Sequence, residues 1–248
     1  MLAERIENYW SGRSAGYSAS IRKEISSFRR EAWKSLLEEM GGEGNGKKAL
    51  DVGTGPGFFA ILLADLGYEV TALDAAENML EEARENIKHA GFRATFFKGD
   101  AQKVPYPENT FDLIVSRNLT WTLPQPLDTY QEWFRLLKKG GRVLVFDANW
   151  YLRLTDAGLQ AAYEEEMKLA RAKGCFKEIS EEQMKECEEI AKKLPLTYQK
   201  RPEWDVQAFT SCGFPEVFVQ ERINERIYNE TEQAIYQAEP MFGLCAVK

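Results

Sequence analysis

Three glycines at alternate positions, Gly53, Gly55 and Gly57, follow an apolar run ending in an acid, in the stretch A-L-D-V-G-T-G-P-G-F from Ala49 to Phe58. Glycine is required where the backbone takes positive φ or lies against a ligand with no Cβ between, and a helix beginning at Phe58 would turn its unpaired N–H groups toward the same spot. The chemistry this suits is the binding of a nucleotide-like ligand. Further along, Asp74, Asp100 with Ala101, and Ser116-Arg117-Asn118 each follow an apolar run. A carboxylate at Asp74 can accept both hydroxyls of a ribose, each charge-assisted bond contributing roughly 1.5–3 kcal/mol. Dinucleotide-binding proteins and phosphate-binding loops also use a Gly-rich turn, and the former place an acid at this position too. Here the spacing is G-x-G-x-G rather than G-x-G-x-x-G, and Pro56 removes an N–H that a pyrophosphate would want.

These residues need elements to carry them to one place, and the chain supplies an alternation of strands and helices. Met1 to Met40 has helical spacing, with Ile21, Ile25, Phe28, Ala32, Leu36, Leu37 and Met40 as an apolar stripe; ahead of it lies the polar-aromatic segment Tyr9 to Arg13 with Tyr17. Gly41 to Lys47 connects to the first strand. Phe58 to Leu66 reads as helix, Tyr68 to Asp74 as strand, Ala76 to Ala90 as helix closed by Gly91, and Ala94 to Asp100 as a third strand. Phe111 to Ser116 is apolar enough for a strand buried on both faces; Pro126 to Lys138 is helical, and Gly140-Gly141 turns into a strand from Arg142 to Asp147. From Asn149 to about Glu203 the alternation breaks into helices, one opened by the capping box Ser180 to Gln183. A helix at Trp204 to Cys212, strands at Val217 to Arg222 and Met241 to Val247, and a partly helical Ile223 to Gln237 complete the chain. The expected fold is α/β, a doubly wound, Rossmann-like sheet of mostly parallel strands whose ligands sit outside the carboxyl ends of the strands. The expected divisions are an N-terminal helical cover (1–47), a ligand-binding core (48–150), a helical lid insertion (151–203) and the end of the core sheet (204–248), in one domain overall.

Composition narrows the partners. The 248 residues carry a formal charge of -7, which disfavours a phosphate-binding surface, so nucleic acid is not an expected partner. The basic residues Arg22, Lys23, Arg29 and Arg30 are interleaved with apolar ones at helical spacing and read as a solvated helix face. Cys175, Cys187, Cys212 and Cys245 are scattered with no C-x-x-C pair, which suggests reduced thiols and a cytoplasmic protein, with neither disulfide framework nor zinc site. No apolar run is long enough to cross a bilayer, so no membrane insertion is expected. Oligomeric state is not legible.

The motifs together resemble the class I S-adenosylmethionine (SAM)-dependent methyltransferases. Asp51 to Gly57 looks like the first motif of that family, Val70 to Asp74 like its second, Gly99-Asp100-Ala101 like its third, Phe111 to Ser116 like its fourth, and Leu137 to Arg142 like the segment opening its fifth strand. The resemblance covers Lys48 to Trp150 and part of the C-terminal strands. It is closest to the quinone-type and related small-molecule methyltransferases, with Lys139 where L-K-P-G-G is usual. It implies a seven-stranded sheet with an antiparallel last strand, and SAM as cofactor with S-adenosylhomocysteine as product. By the same resemblance Asp51, Gly53, Thr54, Gly55 and Gly57 would meet the methionyl part and ribose. Asp74 and Ala75 would hold the ribose, Asp100 and Ala101 the adenine, and Ser116 and Arg117 the methionyl carboxylate and amine.

A sulfonium methyl is already an activated electrophile, so the main task is to hold a nucleophile in line with it. No metal is required, and a base is needed only for a nucleophile of high pKa. His89, the one histidine, lies at a helix end that suits a cation. Tyr9, Tyr17, Asn118 and Trp121 are the catalytic candidates. Trp10, Arg13, Asn118, Trp121, Asn149 and Trp150 are the substrate-side candidates, chosen because they flank strand ends or the N-terminal cover. Trp33 and Trp133 read as packing residues, as do Cys187 and Cys245; Cys175 is the thiol worth testing. The function expected is methyl transfer from SAM to a small-molecule acceptor. The alternatives are a non-catalytic SAM-binding sensor or scaffold and a nicotinamide-dependent dehydrogenase.

Overall fold

The computed structural model describes residues 1–174, 179–238 and 240–248; Cys175 lies outside the described residues. Two N-terminal helices, α1 (Leu2–Ile25) and α2 (Arg29–Gly41), precede an alternating core. That core runs β1 (Lys48–Val52), α3 (Phe58–Asp65), β2 (Glu69–Asp74), α4 (Glu77–His89), β3 (Thr95–Lys98), β4 (Phe111–Arg117), α5 (Pro126–Leu136) and β5 (Leu137–Asp147). Helices α6 (Ala157–Ala172) and α7 (Glu181–Ala191) follow, and then α8 (Glu203–Ser211), β6 (Glu216–Gln220), α9 (Asn224–Ile227), α10 (Glu230–Ile235) and β7 (Phe242–Val247). The seven strands form one sheet in the order β3-β2-β1-β4-β5-β7-β6. β7 runs antiparallel to both β5 and β6, so the other six strands share one direction. This is the doubly wound sheet expected from the alternation. Among the described residues no helix is long and apolar enough to cross a membrane.

Each face of the sheet is sealed by an aromatic cluster. On one side Trp33 of α2 meets Phe59 and Phe146 edge-on at 5.2–5.3 Å between centroids; on the other Tyr130 stacks on Phe209 at 4.0 Å. Both clusters are fully or almost fully buried, and such edge-to-face and stacked pairs contribute about 0.5–1.5 kcal/mol each beyond area burial.

The N-terminal stripe differs from expectation. It is split between two helices by a turn at Ser26–Phe28, and Phe28 stands 51% exposed at the start of α2. The segment Tyr9 to Arg13, set apart in the sequence because of its polarity, is continuous helix within α1. The third strand is shorter than its apolar run. β5 starts earlier than expected, at Leu137, because the ladder to β4 shifts register between Phe111 and Leu113 and carries Gly140-Gly141 as an irregularity inside the strand.

One charged cluster docks the chain that returns from α6 and α7. The Arg201 guanidinium, 2% exposed, donates to Asp205 from Nε at 2.7 Å, to Asp147 from Nη1 at 2.9 Å and to Thr120 Oγ1 from Nη2 at 2.6 Å. Tyr130 Oη donates to the same Asp205 at 2.7 Å. Removing one member of a buried, fully bonded group leaves the others as uncompensated charges, at a cost of about 3–5 kcal/mol. Arg201→Ala should therefore lower unfolding free energy by about that much, read from the urea midpoint. Lys200→Ala, which loses an exposed pair with Glu203, should cost no more than about 1 kcal/mol. Equal losses in the two variants would contradict this account.

Candidate functional site

The chain leaves β1 at Val52 and must enter α3 at Phe58 without covering the strand ends. It does so through glycines held at φ 67, 52 and 88° (Gly53, Gly55, Gly57). Two of these positions are also crowded. A Cβ on Gly53 would come within 2.7 Å of Leu119, and one on Gly57 within 3.2 Å of the Ala83 methyl, the contact that packs α3 on α4. The turn is pinned from three sides. Gly55 N–H donates to Asp74 Oδ2 at 2.9 Å, Thr54 Oγ1 donates to Asp51 Oδ2 at 2.6 Å, and the Asn86 side chain of α4 donates to Pro56 O at 2.9 Å and to Ser18 Oγ of α1 at 3.0 Å.

Around this turn lies a cavity of about 580 Å³. Its floor is the turn itself with Asp51, Gly53, Thr54 and Gly55; its walls are Asp74-Ala75 after β2, Asp100-Ala101 after β3, and Arg117-Asn118 at the end of β4. Helix α1 forms the cover with Trp10 and Tyr17, at the spacing that puts residues on one helix face. The lining draws on four strand ends because parallel strands deliver their carboxyl termini to one edge.

Burial dominates the electrostatics. It pushes the Asp51 carboxyl up to about 7, against the Thr54 hydroxyl that favours its charge. It also raises Asp74, although the N–H groups of Ala76 and Gly55 oppose the shift. Burial works against the charge of Arg117, but the Glu24 carboxylate together with Tyr17 and Tyr228 lifts the guanidinium above its ordinary value. Arg117 Nη2 donates to both Glu24 oxygens at 2.8 and 3.0 Å. Its guanidinium carbon lies 4.7 and 4.6 Å from the ring centroids of Trp33 and Phe58. Arg117 Nε and Nη1, Asn118 Oδ1 and Gln102 Oε1 are buried without a hydrogen-bond partner among the described residues. Each belongs to a residue lining the cavity. Buried polar atoms of this kind call for a partner of complementary chemistry.

Several expected site residues lie elsewhere. Ser116 is fully buried inside β4, paired across from Val52, and does not reach the cavity. Gly57 lies behind the turn against α4 rather than on the cavity wall. Asn149 and Trp150 follow a strand end, but the Arg201 cluster captures both. The Asn149 amide bridges Arg201 O at 2.7 Å and Arg201 N at 2.9 Å, and Trp150 Nε1 donates to Asp147 at 2.7 Å. Tyr9, Arg13 and Trp121 gather in a separate cluster between α1 and α7. There the Tyr151 hydroxyl donates to Cys187 Sγ at 2.9 Å with Tyr9 beside it, Arg13 approaches Tyr9, and Trp121 lies 4.8 Å from the Tyr151 ring. Of the eight catalytic and substrate-side candidates, Trp10, Tyr17 and Asn118 line the cavity. Asp100 turns back on its own loop, accepting from Gln102 N at 2.9 Å and Gln102 Nε2 at 3.2 Å.

Gln102 and Glu24 were not singled out from the sequence. Gln102 stood two residues past an acid in a turn, the one local signal available. Glu24 lies 93 residues from its partner and left none.

A doubly wound sheet with a G-x-G-x-G turn, an acid at the end of its second strand and a cavity across its switch point defines the class I methyltransferase architecture. A family described as Methyltransferase domain matches residues 50–145. The Demethylmenaquinone methyltransferase of Anoxybacillus flavithermus is 32% identical over 151 residues, 59% of this chain and 63% of that protein. The Biotin biosynthesis bifunctional protein of Cellvibrio japonicus is 31% identical over 144 residues, 58% of this chain and 28% of that protein. The chain thus spans less than two thirds of the length of these curated relatives. In fold it resembles the Phosphoethanolamine N-methyltransferase 2 of Haemonchus contortus, solved in complex with S-adenosyl-L-methionine, with a TM-score of 0.58 at 19% identity, over 92% of this chain and 60% of that one. Residues 50–145 thus match a methyltransferase domain, and in that region the chain is similar to class I SAM-dependent methyltransferases, with relatives in the quinone-type branch.

The raised Asp51 carboxyl has a consequence for stability. Its folded value of about 7 lies above the ordinary 3.8, so the folded state binds the proton more tightly than the unfolded chain. The stability this proton contributes is fully present below the unfolded value and is lost as pH rises through the folded one. The urea midpoint should fall between pH 5 and pH 8, and Asp51→Asn should flatten that fall. Parallel slopes in the two proteins would show that Asp51 is not the group responsible.

Proposed function

We propose that this protein transfers the methyl group of SAM to a small-molecule acceptor. The observation that carries the reading is the juxtaposition of the glycine turn, Asp74 and the unpartnered atoms of Arg117, Asn118 and Gln102 around one cavity. The residues present fit the cofactor. Asp74 has carboxylate lone pairs for two ribose hydroxyls beyond those taken by Gly55 and Ala76. Arg117 has spare donors for a carboxylate, Asp51 an anionic form for an ammonium, and Asp100 with Gln102 acceptors for an exocyclic amine. When bound, the cofactor supplies an electrophilic methyl on sulfur.

What the chain itself contributes is positioning and exclusion of water. Roughly 7–11 kcal/mol of a barrier can come from holding two reactants in line, and an apolar cover made by Trp10, Ile6, Ile21 and Tyr17 of α1 suits that task. Tyr17 and Asn118 are the polar groups of this chain best placed to orient an acceptor. Helix α1, together with the α6–α7 insertion that leans on it through the Arg5–Glu186 pair at 2.6 and 2.7 Å, forms the proposed cover. The 580 Å³ of the cavity suits a cofactor with a small acceptor rather than a macromolecular segment. The free thiols of Cys187, Cys212 and Cys245 fit a reducing, cytoplasmic setting.

Calorimetry with SAM, S-adenosylhomocysteine and NAD tests the cofactor. Binding of the first two in the micromolar range is expected, and binding of NAD alone would refute the reading. Asp74→Ala should weaken SAM at least about tenfold, the loss of one or two charge-assisted bonds; an unchanged affinity would remove Asp74 from the site. Incubating methyl-labelled SAM with the protein and a small-molecule extract should yield a labelled compound. Tight SAM binding with no transfer to any extract would mean a sensor or scaffold instead.

A further inference from the structure

Arg117 and Arg201 both carry their guanidinium groups to the carboxyl edge of this sheet, and the two are bonded very differently. Arg201 has all three nitrogens engaged by carboxylates and a hydroxyl. Arg117 has one nitrogen engaged, with Nη2 on Glu24, while Nε and Nη1 are buried and have no partner among the described residues. A guanidinium carries five N–H donors in a fixed fork, so leaving two of its nitrogens unpaired in a site shielded from water is costly unless a ligand supplies acceptors. Rigid surroundings set the direction of the spare donors. The guanidinium is flanked by the rings of Trp33 and Phe58, with Phe59 at 5.8 Å. Glu24 is itself held, since Trp33 Nε1 donates to its Oε1 at 3.1 Å. The Glu24 side chain is 10% exposed, and that of Arg117 14%.

Glu24 stands in the last turn of α1, the helix whose Trp10, Tyr17 and Ile21 cover the cavity. It thus ties the cover to the cavity wall at the end of β4. The groups facing Arg117 from other elements are Tyr17 of α1, Tyr228 after α9 and Asp51 of β1. None of these is hydrogen-bonded to it, so among the described residues Glu24 is the hydrogen-bond partner that orients the charge.

We propose that Glu24 is a positioning residue of the cofactor site. By clamping one nitrogen of Arg117 against Trp33, it aims the remaining donors at the carboxylate of an amino-acid head group and makes closure of α1 part of recognising that head. The inference rests on the methyl-transfer reading and adds to it a residue that touches no cofactor. It predicts that ligands sharing the nucleoside but differing in the amino-acid head will respond differently to changes at Glu24.

The probes are S-adenosylhomocysteine, which has the head group, and 5′-methylthioadenosine, which lacks it. Arg117→Ala and Glu24→Ala should each weaken S-adenosylhomocysteine by about tenfold or more, the loss expected of a charge-assisted bond, while 5′-methylthioadenosine changes by less than about twofold. Glu24→Gln keeps one acceptor oxygen for Arg117 Nη2 and Trp33 Nε1 and should restore part of the affinity lost in the alanine variant. If Glu24→Ala does not fold, Glu24→Asp, one methylene shorter, carries the same comparison. Parallel losses for both ligands would show a structural prop and overturn the proposal, even with the methyl-transfer reading intact. Failure of the wild-type protein to bind S-adenosylhomocysteine would instead overturn that reading, and this proposal with it.

Discussion

The constraint on which the rest of the molecule depends is conformational. Between Val52 and Phe58 the backbone turns on glycines held at positive φ, which L side chains rarely adopt, and a Cβ at Gly53 or Gly57 would also crowd Leu119 or Ala83. Because the turn occupies so little volume, the end of β1 stays uncovered and the ends of β2, β3 and β4 can converge on one cavity. Asp74 completes the arrangement by accepting the Gly55 N–H. The carboxylate that is placed to meet a ligand therefore also holds the turn that leaves room for it.

Arg201 and Arg117 divide the work of assembly and recognition. Arg201 joins Asp147 at the end of β5 to Asp205 in α8, and so returns the chain to the sheet after the α6–α7 excursion. Its nitrogens are all bonded, and nothing remains for a ligand. Arg117 is packed as tightly by aromatic rings and is bonded less. In a low-dielectric interior an unpaired donor is expensive, so the difference between the two marks which charge belongs to the scaffold and which to the site.

The same logic sorts the aromatic and polar residues near the strand ends. Asn149 and Trp150 are drawn into the Arg201 cluster, and Tyr9 and Trp121 into the seam around Cys187, where burial also raises the thiol above its ordinary value. Trp10 lies in both environments, touching that seam and lining the cavity. The cover over the cavity is thus continuous with the packing of α7 on α1. Its position is governed by contacts far from the glycine turn.

What the sequence by itself determined is whatever depends on neighbours along the chain. The alternation of strands and helices, the glycines of the turn, and the acids at Asp74 and Asp100 were all legible because strand periodicity, positive φ and strand ends are local properties. The parallel sheet then followed, since it alone brings those strand ends together. Element boundaries such as the turn at Ser26–Phe28 and the early start of β5 were not legible, because sheet register and helix packing set them. Only the tertiary structure decided which charges face the cavity. Glu24 meets Arg117 across 93 residues and Asn149 meets Arg201 across 52. A residue's partner at such a distance is chosen by the packing of whole elements, which leaves no periodicity or spacing in the chain to read.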